Sequence, residues 1–197
     1  VLRNLLTFPG KVYPVNLNHE KILGREVWRS LGAIPDTVDI AVVVVPARFV
    51  PQIVREAGEK RIPLVIIISS GFREIGKYGS DLESQVISIA EQYNIRIMGP
   101  NCLGIMLPHQ GINTTFDPVS PRAGNIAFIS QSGAIISTIV DWSLPEEIGF
   151  SAVISIGNQA DLTFEDFLKY ALDDPFTRAV ILYIEEIRDG TRFMEIA

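Results

Sequence analysis

Along most of the chain, short unbroken apolar runs alternate with amphipathic stretches. Residues 40–45 read IAVVVV and stop at Pro46. Residues 64–68 read LVIII and stop at Ser69-Ser70-Gly71, and residues 96–98 lead into Gly99-Pro100-Asn101-Cys102. Runs that are apolar at every position predict strands buried on both faces, hence a parallel sheet covered by helices. Helices are predicted over 51–60, where Pro51 suits a first turn, and over 81–93, where Leu82, Val86, Ile89 and Ala90 recur at helical spacing. The alternation breaks at 105–125, a stretch rich in Pro, Gly, Asn and Thr that reads as a connection holding a short hairpin. It then resumes, with strands at 126–129, 152–156 and 179–184, helices at 133–142 and 164–172, and a last helix beginning near Thr191. The expected fold class is α/β and doubly wound, in two units, 1–121 and 122–197.

The start of the chain fits this scheme less simply. Residues 1–8 have the pattern of the second half of an amphipathic helix, and residues 11–15 that of a second strand. In the common 3-2-1-4-5-6 strand order the first strand is central, so its neighbours would lack partners. The expectation is therefore that the parent polypeptide begins upstream of Val1 and that both units are incomplete.

In such sheets ligands bind beyond the carboxyl ends of the strands, and there the sequence is most distinctive. Ser130-Gln131-Ser132-Gly133 joins a strand to a helix. Two hydroxyls, a glycine and the free N–H groups of a helix N-terminus make an anion site, or simply an N-capping serine with a tight-turn glycine. Asn101 offers both donors and an acceptor. Cys102 can sit beside a reacting thioester or be a small buried apolar residue. Val45-Pro46-Ala47 and Ser69-Ser70-Gly71 end consecutive strands, suited either to line a groove or to join strand to helix. Glu185 and Glu186 end the last strand, where an acid can orient a histidine or meet solvent at a helix start. Ser155-Ile156-Gly157-Asn158-Gln159-Ala160-Asp161 would lie near Ser130–Gly133 if their strands are neighbours.

Composition narrows the function. Hydrophobic residues make up 47% and charged residues 20%, which excludes intrinsic disorder. Seventeen Lys and Arg against 23 Asp and Glu give a net charge of −6, so no basic surplus exists to hold a nucleic acid. One cysteine excludes an internal disulfide and fits a cytoplasmic setting. No apolar run approaches the ~20 residues that cross a bilayer. His19 and His109 are isolated, and neither C-x-x-C nor H-E-x-x-H occurs, so no metal site is expected. Neither a P-loop nor G-x-G-x-x-G is present, and no acid follows Val15-Asn16-Leu17 to hold a nicotinamide cofactor's ribose.

Taken in order, V-Y-P-V-N, A-V-V-V-V-P-A, I-S-S-G-F, I-M-G-P-N-C-L-G, I-A-F-I-S-Q-S-G and S-I-G-N-Q-A-D resemble the NDP-forming acyl-CoA synthetases across essentially the whole chain. The resemblance implies a Rossmann-like CoA-binding domain followed by a flavodoxin-like succinyl-CoA synthetase domain. It implies the reversible conversion of acyl-CoA, phosphate and ADP to acid, CoA and ATP, through an acyl phosphate and a phosphohistidine. By motif, Asn16, Val45, Pro46, Ala47, Ser70 and Gly71 would line the CoA groove, and Asn101 and Cys102 would meet the thioester end. Ser130, Gln131, Ser132 and Gly133 would cradle the phosphoryl group, and Glu185 or Glu186 would orient the phosphorylated histidine. ADP or ATP and Mg would be bound by an ATP-grasp domain or β subunit outside this chain, and the phosphorylated histidine would lie in a later segment, after the last helix begun here. Neither His19 nor His109 matches it, the family's Gly-rich loop has no counterpart, and V-N-P here reads Val15-Asn16-Leu17. An oligomer is expected, because open sheet edges seek partners. The competing expectations are a non-catalytic CoA-sensing module or regulatory region of a protein acetyltransferase, and an NAD-type dehydrogenase.

Overall fold

A computed structural model describes residues 1–196. The chain opens with a 3-10 turn, Asn4–Thr7, and a small antiparallel hairpin, β1 (Lys21–Ile22) and β2 (Arg25–Glu26). Next come β3 (Ile40–Val43), α1 (Val50–Glu59), β4 (Leu64–Ile67), α2 (Lys77–Tyr93) and β5 (Arg96–Met98). A second hairpin follows, β6 (Gly104–Leu107) and β7 (Ile112–Asn113), then β8 (Arg122–Ser130), α3 (Gly133–Ser143), β9 (Gly149–Ser155), α4 (Phe164–Asp173), β10 (Ala179–Tyr183) and α5 (Gly190–Ile196).

Two sheets result. β3, β4 and β5 form a parallel sheet in that order. The second has the order β10-β8-β9-β6-β7, with β10, β8 and β9 parallel and β6 and β7 antiparallel to their neighbours. Alternation along the strands explains the layering. Val65, Ile67 and Ile97 face Val54 of α1 and Val86 and Ile89 of α2. Ile66 and Met98 point the other way and pack with Ile129 and Ile154 of the second sheet and Phe164 and Leu168 of α4. Phe128 and Val153 face away from that shared core, onto Ile136 and Val140 of α3. The second face of the first sheet is thus closed by the second unit rather than by helices of its own.

Several expectations change. Residues 1–8 are not an amphipathic helix: the turn buries no residue and is held by Asn4, whose Nδ2 donates to the Thr115 and Asp117 carbonyls at 2.8 and 2.6 Å. Residues 11–15 form no sheet strand, and Val15 makes only an isolated bridge to Trp28. The hairpin expected within 105–125 exists, but β6 pairs with β9 inside the second sheet. Sheet membership therefore changes at the 99–103 turn, inside the unit expected over 1–121. Finally, the apolar 179–184 run is not buried on both faces. β10 is an edge strand, with Val180, Ile181 and Tyr183 each more than a third exposed. Helix α2 also begins earlier than its apolar spacing suggested. Gly79 sits in its first turn, where a Cβ would meet the Phe72 carbonyl oxygen at 1.7 Å.

Candidate functional site

The loops after β5, β8, β9 and β10 meet along one edge, because β8, β9 and β10 are parallel in register, Ser130 opposite both Ser155 and Tyr183. The segment after β9 turns back onto the first sheet. The N–H groups of Asn158, Ala160 and Leu162 donate to the carbonyls of Pro100, Gly99 and Ile97 at 2.9, 2.9 and 3.1 Å, and Asp161 Oδ2 accepts the Ile97 N–H at 2.7 Å. This row covers the free edge of β5. Gly157 makes the approach possible: its φ is +55°, and a Cβ would lie 2.3 Å from the Pro100 carbonyl oxygen. Ser155 Oγ accepts the Leu103 N–H at 2.8 Å, and Leu103 Cβ stands 3.4 Å from where a Gly133 Cβ would be. The Gly99–Leu103 and Ser130–Gly133 segments are therefore neighbours.

The four residues of the second segment divide by role. Ser130 is fully buried and its hydroxyl is committed within the turn, accepting the Ser132 N–H at 3.0 Å and donating to the Ser132 carbonyl at 2.9 Å. Gln131 reaches sideways: its Oε1 accepts the N–H groups of Glu185 and Glu186 at 2.6 and 2.8 Å. Ser132 is the N-cap of α3, its Oγ accepting the Ile135 N–H over a long 3.4 Å. The N–H groups of Gly133 and Ala134 have no acceptor among the described residues. Of the expected anion cradle, Ser132 and the α3 N-terminus remain open to a ligand, while the side chains of Ser130 and Gln131 build the turn around it.

A cavity of about 600 Å³ lies at the ends of β3 and β4. Its wall includes the expected Val45, Pro46 and Ser70, together with Val44, Ile68 and Phe116, which the sequence reading passed over. Phe116 is 64% exposed, yet Thr115 and Asp117 on either side are buried and hydrogen-bonded. Ala47 and Gly71, next in sequence to Pro46 and Ser70, are not among the lining residues, and a Cβ on Gly71 would lie 3.1 Å from that of Ala47. Asn16 is not among the lining residues. Its segment lies outside the sheet, and its Oδ1 accepts the Asn18 N–H at 2.8 Å.

Asn101 is exposed, with φ +57°; its N–H donates to the Ser69 carbonyl at 3.0 Å, tying the turn to the cavity wall. Cys102 turns the other way. It belongs to the shared core, its Sγ donates to the Ile67 carbonyl at 3.3 Å, and burial pushes its thiol up to about 12. The expected role beside a thioester is withdrawn for Cys102, because a protonated thiol in the core neither reaches nor attacks a ligand. Glu185 and Glu186 are both exposed, and among the described residues only Glu186 of the two forms an ion pair, to Arg73 at 3.0 Å.

The sequence reading also missed a polar hub. The Asn158 amide donates to Glu74 Oε2 at 2.7 Å and Glu83 Oε2 at 2.9 Å, and its Oδ1 accepts from Asn101 at 3.3 Å. Glu74 Oε1 accepts the N–H groups of Gly71 and Phe72 at 2.5 and 3.0 Å. Burial alone would raise the Glu74 pKa, but the hydrogen bonds from Asn158, Gly71 and Phe72 outweigh it and hold the carboxyl below its ordinary 4.5. No local pattern marks these partners, since they come from three separated segments.

Comparison with known proteins matches both parts of the chain to family models. The family model described as a CoA binding domain matches residues 1–108, and the succinyl-CoA ligase like flavodoxin domain matches 123–197. The chain belongs to the CoA-binding, NDP-forming acyl-CoA synthetase family. It is 48% identical over its full length to the acetate–CoA ligase [ADP-forming] II subunit alpha of Pyrococcus furiosus, and spans 43% of that subunit. It is 45% identical, again over its full length, to the acetate–CoA ligase [ADP-forming] of Methanocaldococcus jannaschii, of which it spans 28%. Among solved structures it is similar to the dinucleotide forming acetyl-coenzyme A synthetase 1 of Ca. Korarchaeum cryptofilum, seen also with phosphate and ADP. There the TM-score is 0.94 at 36% identity, over 99% of this chain and 42% of that one. A Pyrococcus horikoshii protein gives a TM-score of 0.96 at 45% identity, over 99% of this chain and 45% of its own. Among the described residues no helix is long and apolar enough to cross a membrane.

Proposed function

We propose that this chain is the CoA-binding and phosphoryl-cradling part of an NDP-forming acyl-CoA ligase, which converts acyl-CoA, phosphate and ADP to acid, CoA and ATP. The observation that carries the reading is the meeting, along one edge, of the apolar cavity at β3 and β4, the Asn101 turn and the open N-terminus of α3. Val45, Pro46 and Ser70 would hold CoA, with Ala47 and Gly71 next to them in sequence. About 600 Å³ falls in the range of small-molecule sites. Asn101 would receive the thioester end. Attack of phosphate on the thioester carbonyl expels the CoA thiolate and leaves an acyl phosphate. Ser132 and the N–H groups of Gly133 and Ala134 would hold the negative charge of its phosphoryl oxygens, with no cation needed.

The phosphoryl group would then pass to a histidine outside this chain, and from it to ADP held with Mg by an ATP-grasp domain or β subunit. Glu185 would orient that histidine. Glu186 is already engaged by Arg73, whereas Glu185 has no ion pair among the described residues and is presented by Gln131. The setting would be cytoplasmic, in an oligomer. The test is acyl-CoA-dependent formation of ATP from ADP and phosphate by the protein with its nucleotide-binding part, alongside calorimetric binding of CoA in competition with NAD. Displacement of CoA by NAD, or no CoA binding, would overturn the reading.

A further inference from the structure

Two adjacent residue pairs face each other across the turn at 184–188. Arg73 and Glu74 follow the cavity-lining loop after β4; Asn158 and Gln159 follow β9. Arg73 pairs with Glu186 at 3.0 Å, and Gln159 Nε2 donates to the Glu186 carbonyl at 3.3 Å. Arg188 donates to the Asn158 carbonyl at 3.2 Å. Glu74 holds the Gly71 and Phe72 N–H groups on one side and the Asn158 amide on the other. Asn158 and Gln159 are 7% and 1% exposed, and Asn158 has both amide hydrogens and its oxygen in use.

We infer that Arg73-Glu74 and Asn158-Gln159 form a clamp that ties the cavity loop at Ser70–Phe72 to the Glu185–Glu186 turn, so that a filled cavity fixes the position of the acid. The inference rests on the proposed CoA site. Arg73 and Asn158 are then positioning residues: neither touches the ligand, and both act through the turn. The physical reason is continuity. Ser70 lines the cavity, its next two residues are bonded to Glu74, and Glu74 is bonded to Asn158, whose carbonyl holds Arg188. An ordered Ser70–Phe72 loop therefore restrains the far turn through bonds that already exist, with no change of fold.

The N–H groups of Glu185 and Glu186 both donate to Gln131 Oε1, so their hydrogen exchange reports opening of the turn. With CoA added to the protein, exchange at these two amides should slow about fivefold. Arg73→Met and Asn158→Asp should bind CoA but lose that slowing, and Arg73→Lys should restore it. Bound CoA without slowing in the wild type, or slowing that survives both variants, would overturn the clamp. If Asn158→Asp fails to fold, Arg73→Met decides, because that arginine is at the surface. A wild type that binds no CoA would remove the site reading, and the clamp with it.

Discussion

Gln131 Oε1 accepts the backbone N–H of Glu185 at 2.6 Å, so a residue of the turn between β8 and α3 holds the turn after β10 in place. Replacing Gln131 with Ala leaves two N–H groups without this acceptor. The expected outcome is a fall in phosphoryl transfer of about 10-fold, as the turn loses the hydrogen bonds that position it. CoA affinity should be unchanged, and Gln131→Glu, which keeps an acceptor oxygen, should lose less. Steady-state kinetics with a separate CoA titration checks this.

Ser132 caps α3 and, in the proposed site, would hold the phosphoryl group, and the two have separable readouts. Its N-cap bond is long at 3.4 Å, so Ser132→Ala should cost about 0.5 kcal/mol of stability, the low end for a lost cap. Its hydroxyl faces the proposed phosphoryl position, and losing a preorganised donor of that kind should slow transfer about 10²–10³-fold. Equal losses in transfer rate and CoA binding would contradict the cradle.

Gly157 is the position where a single methyl group should separate the two units. A Cβ would meet the Pro100 and Asn101 carbonyl oxygens at 2.3 and 2.7 Å, in a left-handed conformation. Gly157→Ala should lower stability by more than about 1 kcal/mol in denaturant titration, since both steric clash and backbone strain oppose it. Gly190, whose Cβ would meet nothing, is the control.

Cys102 should be chemically silent in the folded protein. With its thiol buried and pushed up to about 12, thiolate is scarce at neutral pH and reagent has no access. A chromogenic disulfide should label it only after denaturation. Rapid labelling of the native protein would place the thiol in the site after all.

Glu74 gives the acid limb a defined origin. Its folded pKa lies below the ordinary 4.5, so the folded state favours the carboxylate. That contribution is fully present above 4.5 and is lost as the pH falls below 4.5 and through the folded value. Glu74→Gln should therefore reduce the difference in melting temperature between neutral and acidic buffer. An unchanged difference would show that Glu74 is not held by Asn158 and the loop N–H groups in solution.

Much of this protein was legible in its sequence because the signals are local. The apolar runs at Ile40, Leu64 and Ile126 have nowhere to go but a covered sheet, and the chain order of strand ends named the neighbourhood of Val45, Ser70, Asn101 and Ser132. What tertiary structure decided is which way side chains at those ends turn and what they meet. Ser130 and Cys102 sit in the site motifs but point inward, since a strand alternates its faces and the turn after β5 sends the thiol toward Ile67. Residues 11–15 have the composition of a strand but make no sheet pairing beyond the Val15 bridge, and Asn16 is not among the residues that line the cavity. The Asn158 hub joins residues 57 to 84 positions apart, and such bonds leave no periodicity to read. Local sequence sets which segments become strands, helices and turns; the partners of a buried amide or carboxylate exist only once those segments have packed.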